Sequence, residues 1–239
     1  MLEDSFTDAA VPAGEVRRAT SAGLSRRSRM AMLLLNALPL CHVLAIAVGT
    51  LAARGAFARM VIIVGGLYLL PPLLVRLLFW LRPLPAGNHA LDTSAFLLWW
   101  ASAQGQIVFC RFPFLEELLR LVPGLYSAWL RLWGARIGRL TYWAPGVAVL
   151  DRSLLEIGDG VIFGAGVRLN SHVIAEDDSG ILRLQVAPVK IGDGCRIGGY
   201  SLLTAGTVVK GGQTLKAFSL SPPFAVWHEG RRARIAVPQ

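Results

Sequence analysis

His172, in the stretch LNSHVIAEDDSG, is the side chain best suited to take and return a proton near neutral pH. Glu176, Asp177 and Asp178 follow it closely. A carboxylate or a backbone carbonyl on one imidazole nitrogen fixes the tautomer and leaves the other nitrogen to act as a base. The sequence does not choose among these three. Cations able to hold phosphate groups are Lys190, Arg196, Lys210, Lys216, Arg231 and Arg232. A metal centre fits poorly. The four histidines are His42, His89, His172 and His228, and the three cysteines are Cys41, Cys110 and Cys195, all far apart. A zinc site needs converging ligands, and an odd, scattered set of cysteines gives no disulfide framework. We therefore expect no metal cofactor.

His172 belongs to a six-residue repeat. From Ile157 the chain divides into IGDGVI, FGAGVR and LNSHVI, and from Ile191 into IGDGCR, IGGYSL, LTAGTV and VKGGQT. The first positions are Ile157, Phe163, Leu169, Ile191, Ile197, Leu203, Val209 and Leu215, all apolar. The fifth positions are Val161, Val167, Val173, Cys195, Ser201, Thr207 and Gln213, mostly small or β-branched. Each unit is expected to form a short strand and a corner, and three units to close a triangular coil. Coils must stack, because one alone cannot bury its apolar face. Glycines after the first position are expected where the corner needs unusual backbone angles. Cys195 is then a core residue, not a nucleophile. An up-and-down barrel would show period two instead.

An earlier coil carries Ile137, Trp143 and Val149, and a two-residue slip near residues 151–153 resets the phase. Between residues 173 and 189 the phase is lost, and a run of about fifteen residues leaves the coil as a projecting loop. His172, at a fourth position, is expected to point outward beside it. Such excursions are where function collects.

The first half is apolar. Of 239 residues, 54% are hydrophobic and 16% charged, with a net charge of +9. Residues 30–53 and 60–81 are each long enough to cross a hydrocarbon core of roughly 30 Å. The short link between them predicts an antiparallel helical hairpin, assigned as transmembrane over residues 30–84. Pro71 and Pro72 are expected to kink the second helix, and Arg76 to snorkel toward headgroups. Arg17, Arg18, Arg26, Arg27 and Arg29 precede the first run, and Arg76 and Arg82 follow the second. Both ends, including a basic tail over residues 1–29, are therefore expected in the cytoplasm, with the protein in the inner membrane. The long charged lead-in and the second run argue against a cleaved signal peptide.

Residues 85–135 are interrupted by Glu116, Glu117, Arg120 and Arg131 and crowded with Trp99, Trp100, Tyr126, Trp129 and Trp133. This composition predicts amphipathic helices in the membrane interface, or else helices packed on the coil. Residues 88–92 read as the linker into them. The coil has no basic stripe with interleaved aromatics, so nucleic acid is not an expected partner. The fold class is α+β: a transmembrane hairpin and interfacial helices, then a parallel β-helix over residues 136–239.

The stretches RLNSHV, APVKIGDGCRIGG and LTAGTVV, with the tail SLSPPFAVW, resemble the hexapeptide-repeat acyltransferase family over residues 136–230. The apolar N-terminal half together with DRSLLEIGDGV and LNSHVIAED resembles a membrane-anchored branch, which includes the C-terminal regions of polylysine-synthetase-like proteins. The resemblance implies a left-handed coil and a homotrimer with sites between subunits. It implies an acyl-CoA donor, acetyl-CoA foremost, whose thioester a hydroxyl or amine acceptor attacks directly, with His172 as general base. Coenzyme contacts carry over to Ala205, Gly206 and Thr207, with Lys210 and Arg196 among the cations beside them. A backbone N–H of Gly198 or Gly199 is the available donor to the tetrahedral oxyanion. Arg196 stands where many sugar acetyltransferases carry Trp, and the coil is short beyond Gly199, which would suit an acyl carrier protein as the donor. The apolar half points to a lipid-linked or amphiphilic acceptor. The competing reading is a non-catalytic trimeric membrane scaffold built on the same coil. A proton-transfer residue beside an acidic excursion favours the enzyme.

Overall fold

A computed structural model describes residues 24–177 and 179–234. Arg17, Arg18 and Asp178 lie outside the described residues. The six-residue period is realised as three parallel faces. Strands Arg136–Ile137, Leu155–Ile157, Val189–Ile191, Val208–Val209 and Ala225–His228 stack as the first, and Arg231–Arg234 adds to its edge antiparallel. Tyr142–Trp143, Ile162–Phe163, Arg196–Ile197 and Thr214–Leu215 form the second. Ala148–Val149, Arg168–Leu169, Leu202–Leu203 and Leu220–Ser221 form the third. The chain visits the faces in turn, so each circuit is one coil. Ile137 pairs with Ile157, Trp143 with Phe163 and Val149 with Leu169. The early coil and the slip after it therefore stand where the pattern put them.

All eight first positions are buried, as are Val161, Val167, Cys195, Ser201 and Thr207 at fifth positions. Two fifth positions depart. Val173 has left the coil and pairs with Gln185, and Gln213 turns its amide oxygen to the Gly230 N–H at 3.0 Å. The glycines after the first positions have a different cause from the one expected. A Cβ on Gly164 would lie 2.5 Å from the Gly199 nitrogen of the next coil, so what glycine supplies there is close approach between coils. The left-handed corner positions come two residues later, as at Gly166, or are taken at a cost by Tyr200 and Phe218.

Helix α1 (Arg26–Ala52) and helix α2 (Ala56–Leu81) form an antiparallel pair. Ile46 closes on Gly66 and Ile62 on Gly49, where glycine lets the backbones approach. Both helices are long and apolar enough to cross a membrane. Pro71 and Pro72 disturb α2 one turn upstream, as a π turn over Gly65–Leu69. The prolines bring no N–H, so carbonyls of that turn need other donors. Trp129 Nε1 donates to the Tyr68 carbonyl at 2.9 Å, and His42 Nε2 lies 2.8 Å from that of Gly66.

Helices α3 (Ser94–Arg111), α4 (Phe114–Arg120) and α5 (Leu125–Leu132) follow. The reading of these segments as interfacial helices with rings at headgroup depth does not hold for the rings. Trp99, Tyr126, Trp129 and Trp133 are buried. Trp129 and Trp133 share one apolar core with Phe109, Leu130 and the coil interior from Ile137 to Leu215. The indoles are large enough to fill the end of the prism, and burying them there is worth more than leaving them at a surface.

The excursion is ordered too. Its strands His172–Glu176 and Leu182–Val186 form an antiparallel hairpin. The segment expected as a linker supplies strand Gly87–Ala90, which pairs with Leu182–Val186 and completes a three-stranded sheet.

Candidate active site

His172 begins the hairpin at a corner of the second full coil. The hairpin's base is closed by the Ala187 N–H to the Ser171 carbonyl at 3.1 Å, and the Ser171 hydroxyl donates to the Leu154 carbonyl at 2.7 Å. This fixes the backbone on either side of the imidazole. The side chain is 22% exposed, facing outward as expected.

The carboxylate on His172 is neither Glu176 nor Asp177. It is Asp151, whose Oδ2 lies 2.7 Å from His172 Nδ1. Asp151 comes from the slip between the first two coils and is buried. Its Oδ1 accepts the Trp99 indole N–H at 3.1 Å, and the Trp99 ring lies against the imidazole with centroids 4.6 Å apart. With Asp151 ionised, Nδ1 holds the proton and Nε2 presents its lone pair. Among the described residues, Nε2 has no hydrogen-bond partner.

Glu176 ends the first hairpin strand, exposed and paired in register with Leu182. Asp177 organises the hairpin turn. It accepts Arg183 Nε at 2.7 Å, the Ser179 N–H at 2.9 Å and the Ile181 N–H at 3.0 Å. The Arg183 hydrogen bond, aided by the Ile181 N–H, holds its carboxyl below the ordinary aspartate range. Both residues are committed to the hairpin, and its length carries them away from the imidazole.

The residue after Asp151 anchors the corner to the helices. Arg152 is buried, and its guanidinium meets the Glu116 carboxylate, with Nε to Oε1 at 2.8 Å. Gln106 Oε1 accepts the Arg152 backbone N–H at 2.7 Å. Glu116 also accepts the Tyr126 hydroxyl at 2.5 Å. Burial, then the charge of Glu116, pushes that phenol upward, so Tyr126 remains a donor.

The remaining candidates separate. Ala205 and Gly206 occupy the same corner column as His172, one coil on. The Gly206 N–H donates to the Ala187 carbonyl at 3.1 Å, and Phe224 packs where a Cβ on Gly206 would stand. Thr207 points inward, its hydroxyl 3.0 Å from that of Ser221, and cannot touch a ligand outside the coil. Arg196 projects from the second face, and Lys210 follows the first-face strand Val208–Val209; both are exposed. Gly198 and Gly199 lie between the second and third faces, at a different corner from His172. The Gly198 N–H is already given to the Leu215 carbonyl at 2.9 Å, which removes it as an oxyanion donor. Cys195 is a core residue. Burial raises its thiol, and Sγ donates to the Lys210 carbonyl at 3.0 Å.

No protein-family model and no curated relative matches the chain. Among solved structures, it is similar in part to a hexapeptide-repeat-containing acetyltransferase from Vibrio cholerae O1 biovar eltor, complexed with acetyl coenzyme A. There the identity is 18% over 53% of this chain and 84% of that one, with a TM-score of 0.34. It is also similar to a maltose O-acetyltransferase from Clostridium difficile 630, at 16% identity over 63% of this chain and 93% of that one, with a TM-score of 0.31. Likeness at this level assigns neither substrate nor residue roles. The parallel coil rests on its own strand pairing.

Sequence reasoning missed Asp151, Trp99 and the Arg152–Glu116–Gln106 cluster. One signal for Asp151 was present. The first two coils are related by a step of twenty residues, as Val149 and Leu169 show. The same step carries Asp151 to Ser171, next to His172. No comparable period links Trp99 on α3 to the coil.

Proposed function

We propose that the protein is a membrane-associated acyltransferase. It moves an acyl group, acetyl foremost, from a CoA thioester to a hydroxyl or amine on a lipid-linked or amphiphilic acceptor. The observation that carries this reading is the Asp151–His172 pair at the foot of the hairpin, with Nδ1 engaged and Nε2 open. The acceptor's oxygen or nitrogen attacks the thioester carbonyl while Nε2 takes its proton. Asp151 holds the tautomer and stabilises the imidazolium that forms. The tetrahedral oxyanion collapses, the C–S bond breaks, and the imidazolium returns the proton to the departing thiolate, giving free CoA.

Gly206, half-buried on the same corner column, is the residue beside which a thioester would lie near His172; Ala205 is fully buried there and supports the corner from within. Gly199, at another corner, serves the oxyanion only across an interface between copies. A homotrimer with a left-handed coil, of the kind the family resemblance implies, would supply such an interface. Membrane association rests on the outer surfaces of α1 and α2. Leu33, Leu34, Leu51, Phe57 and Trp80 are among many large apolar side chains exposed there. An apolar surface of that extent is unstable in water and natural in hydrocarbon.

The test uses the full chain in lipid nanodiscs with radiolabelled acetyl-CoA and a total lipid extract as acceptor. CoA release and label in extractable products are followed together. His172→Ala is expected to lower turnover by at least ~10²-fold, the usual loss with a general base. Undiminished transfer by that variant would overturn His172 as the base, and absence of transfer by the wild-type protein would favour the scaffold reading.

A further inference from the structure

We infer that Trp99 is a positioning residue for His172, supplied by the helical half of the chain and not by the coil. The inference rests on His172 being the general base proposed above. Trp99 lies on α3 and is only 3% exposed, with one contact to each member of the pair. Its indole Nε1–H donates to Asp151 Oδ1 at 3.1 Å, while Oδ2 meets the imidazole Nδ1 at 2.7 Å. A carboxylate bonded through one oxygen alone can still turn about its Cβ–Cγ bond. A second donor on the other oxygen removes that freedom. The indole ring also lies against the imidazole, tilted by 52° with centroids 4.6 Å apart, and limits rotation of the ring itself. Together the two contacts set where Nε2 points.

Trp99 is in turn held in place. Phe96 and Trp100 pack against it at 5.7 and 5.8 Å between centroids. Further along α3, Gln106 accepts the N–H of Arg152, the residue that follows Asp151. The helix is therefore tied to the same corner at both Asp151 and Arg152.

The experiment uses nitrogen-15-labelled full-length protein in detergent micelles. The His172 ring nitrogens are assigned by their loss in His172→Ala, and their shifts report which one carries the proton. In the wild-type protein the proton is expected on Nδ1. Asp151→Asn is expected to move it largely to Nε2, as loss of the partner carboxylate does in a hydrogen-bonded dyad. Trp99→Phe, which keeps a ring and loses the N–H, should raise the Nε2–H share. Trp143→Phe on the second face of the coil loses an N–H bonded to the Ser127 hydroxyl at 2.9 Å, away from this corner, and should leave the wild-type tautomer. With acetyl-CoA as probe, Trp99→Phe should lower kcat about 10-fold at unchanged KM for acetyl-CoA. It should add no further loss in the Asp151→Asn background.

A wild-type tautomer in Trp99→Phe, or full additivity with Asp151→Asn, overturns the inference. If Trp99→Phe does not fold, the indole resonance of Trp99 in Asp151→Asn decides. It should move upfield on losing a charged acceptor, and an unmoved signal overturns the inference. The tautomer is read without turnover, so undiminished transfer by His172→Ala would remove the base while leaving the Trp99 result to stand on its own.

Discussion

Nitrogen Nε2 of His172 is useful as a base only while Nδ1 keeps its proton, and the geometry gives that task to one buried carboxylate oxygen. Asp151→Asn preserves size and hydrogen bonding but can present the wrong partner to the ring. Its kcat is expected to fall on the order of 10²- to 10⁴-fold with little change in KM for acetyl-CoA, measured by CoA release. At this scale the repeat made His172 legible, because six-residue phasing decides which side chains face out. It also led the eye to the wrong carboxylates. Glu176 and Asp177 are neighbours along the chain, but an extended hairpin moves each residue about 3.3 Å further from its start. Asp151 is near because coils stack, and stacking relates residues that are a whole circuit apart.

Two elements hold this corner, the hairpin above it and the Arg152–Glu116 pair below. The pair is buried, and although Glu116 also meets Arg120 at 3.4 Å and the Tyr126 hydroxyl, Arg152 is its principal partner, so removing either member leaves a buried charge poorly compensated. Arg152→Met is expected to destabilise the chain by about 3–5 kcal/mol, and adding Glu116→Leu to recover only part of that, because Arg120 and the Tyr126 hydroxyl then lose their acceptor, read from denaturant midpoints. The hairpin has a pH dependence of its own. The Asp177 carboxyl is depressed by Arg183 and the Ile181 N–H. Its contribution is therefore present above the ordinary aspartate value and lost as pH falls through the depressed one. Amide resonances of residues 172–186 should broaden in that acid window, and Asp177→Asn should show the same loosening at neutral pH. The excursion was legible as a departure from the coil but not as a hairpin. Its third strand, Gly87–Ala90, comes from a polar stretch between apolar helices, where pairing depends on a partner nearly a hundred residues later.

Over the whole molecule, helices α2, α3 and α5 share one core with the coil, while a second, smaller cluster of Phe96, Trp99, Leu184 and Val186 joins α3 to the hairpin. Trp133 is fully buried where the prism would otherwise open, alongside Phe109, Leu130 and Ile137. Trp133→Ala should cost about 3–5 kcal/mol and lower the unfolding midpoint of coil and helices together, monitored by far-ultraviolet circular dichroism in detergent. A separate shift of the helices alone would argue against a common core. The aromatic composition of residues 94–133 gave equal warrant to rings at a lipid boundary and rings in a packed interior. Only the position of the prism's open end decides between them, and no local pattern records it.

The strand Gly87–Ala90 also sets an order of events in biosynthesis. Val186 stands opposite Gly87 on one side and His172 on the other. When Gly87 leaves the ribosome, neither of these later residues has yet been made. The apolar helices are released first and must wait, with an unpaired β edge beside them, until two circuits of the prism have been translated. The sheet beside His172 is therefore closed late, and a chain stalled before residue 186 would carry its full complement of apolar helices, with Asp151 and His172 already made but the hairpin not yet tied to Gly87–Ala90.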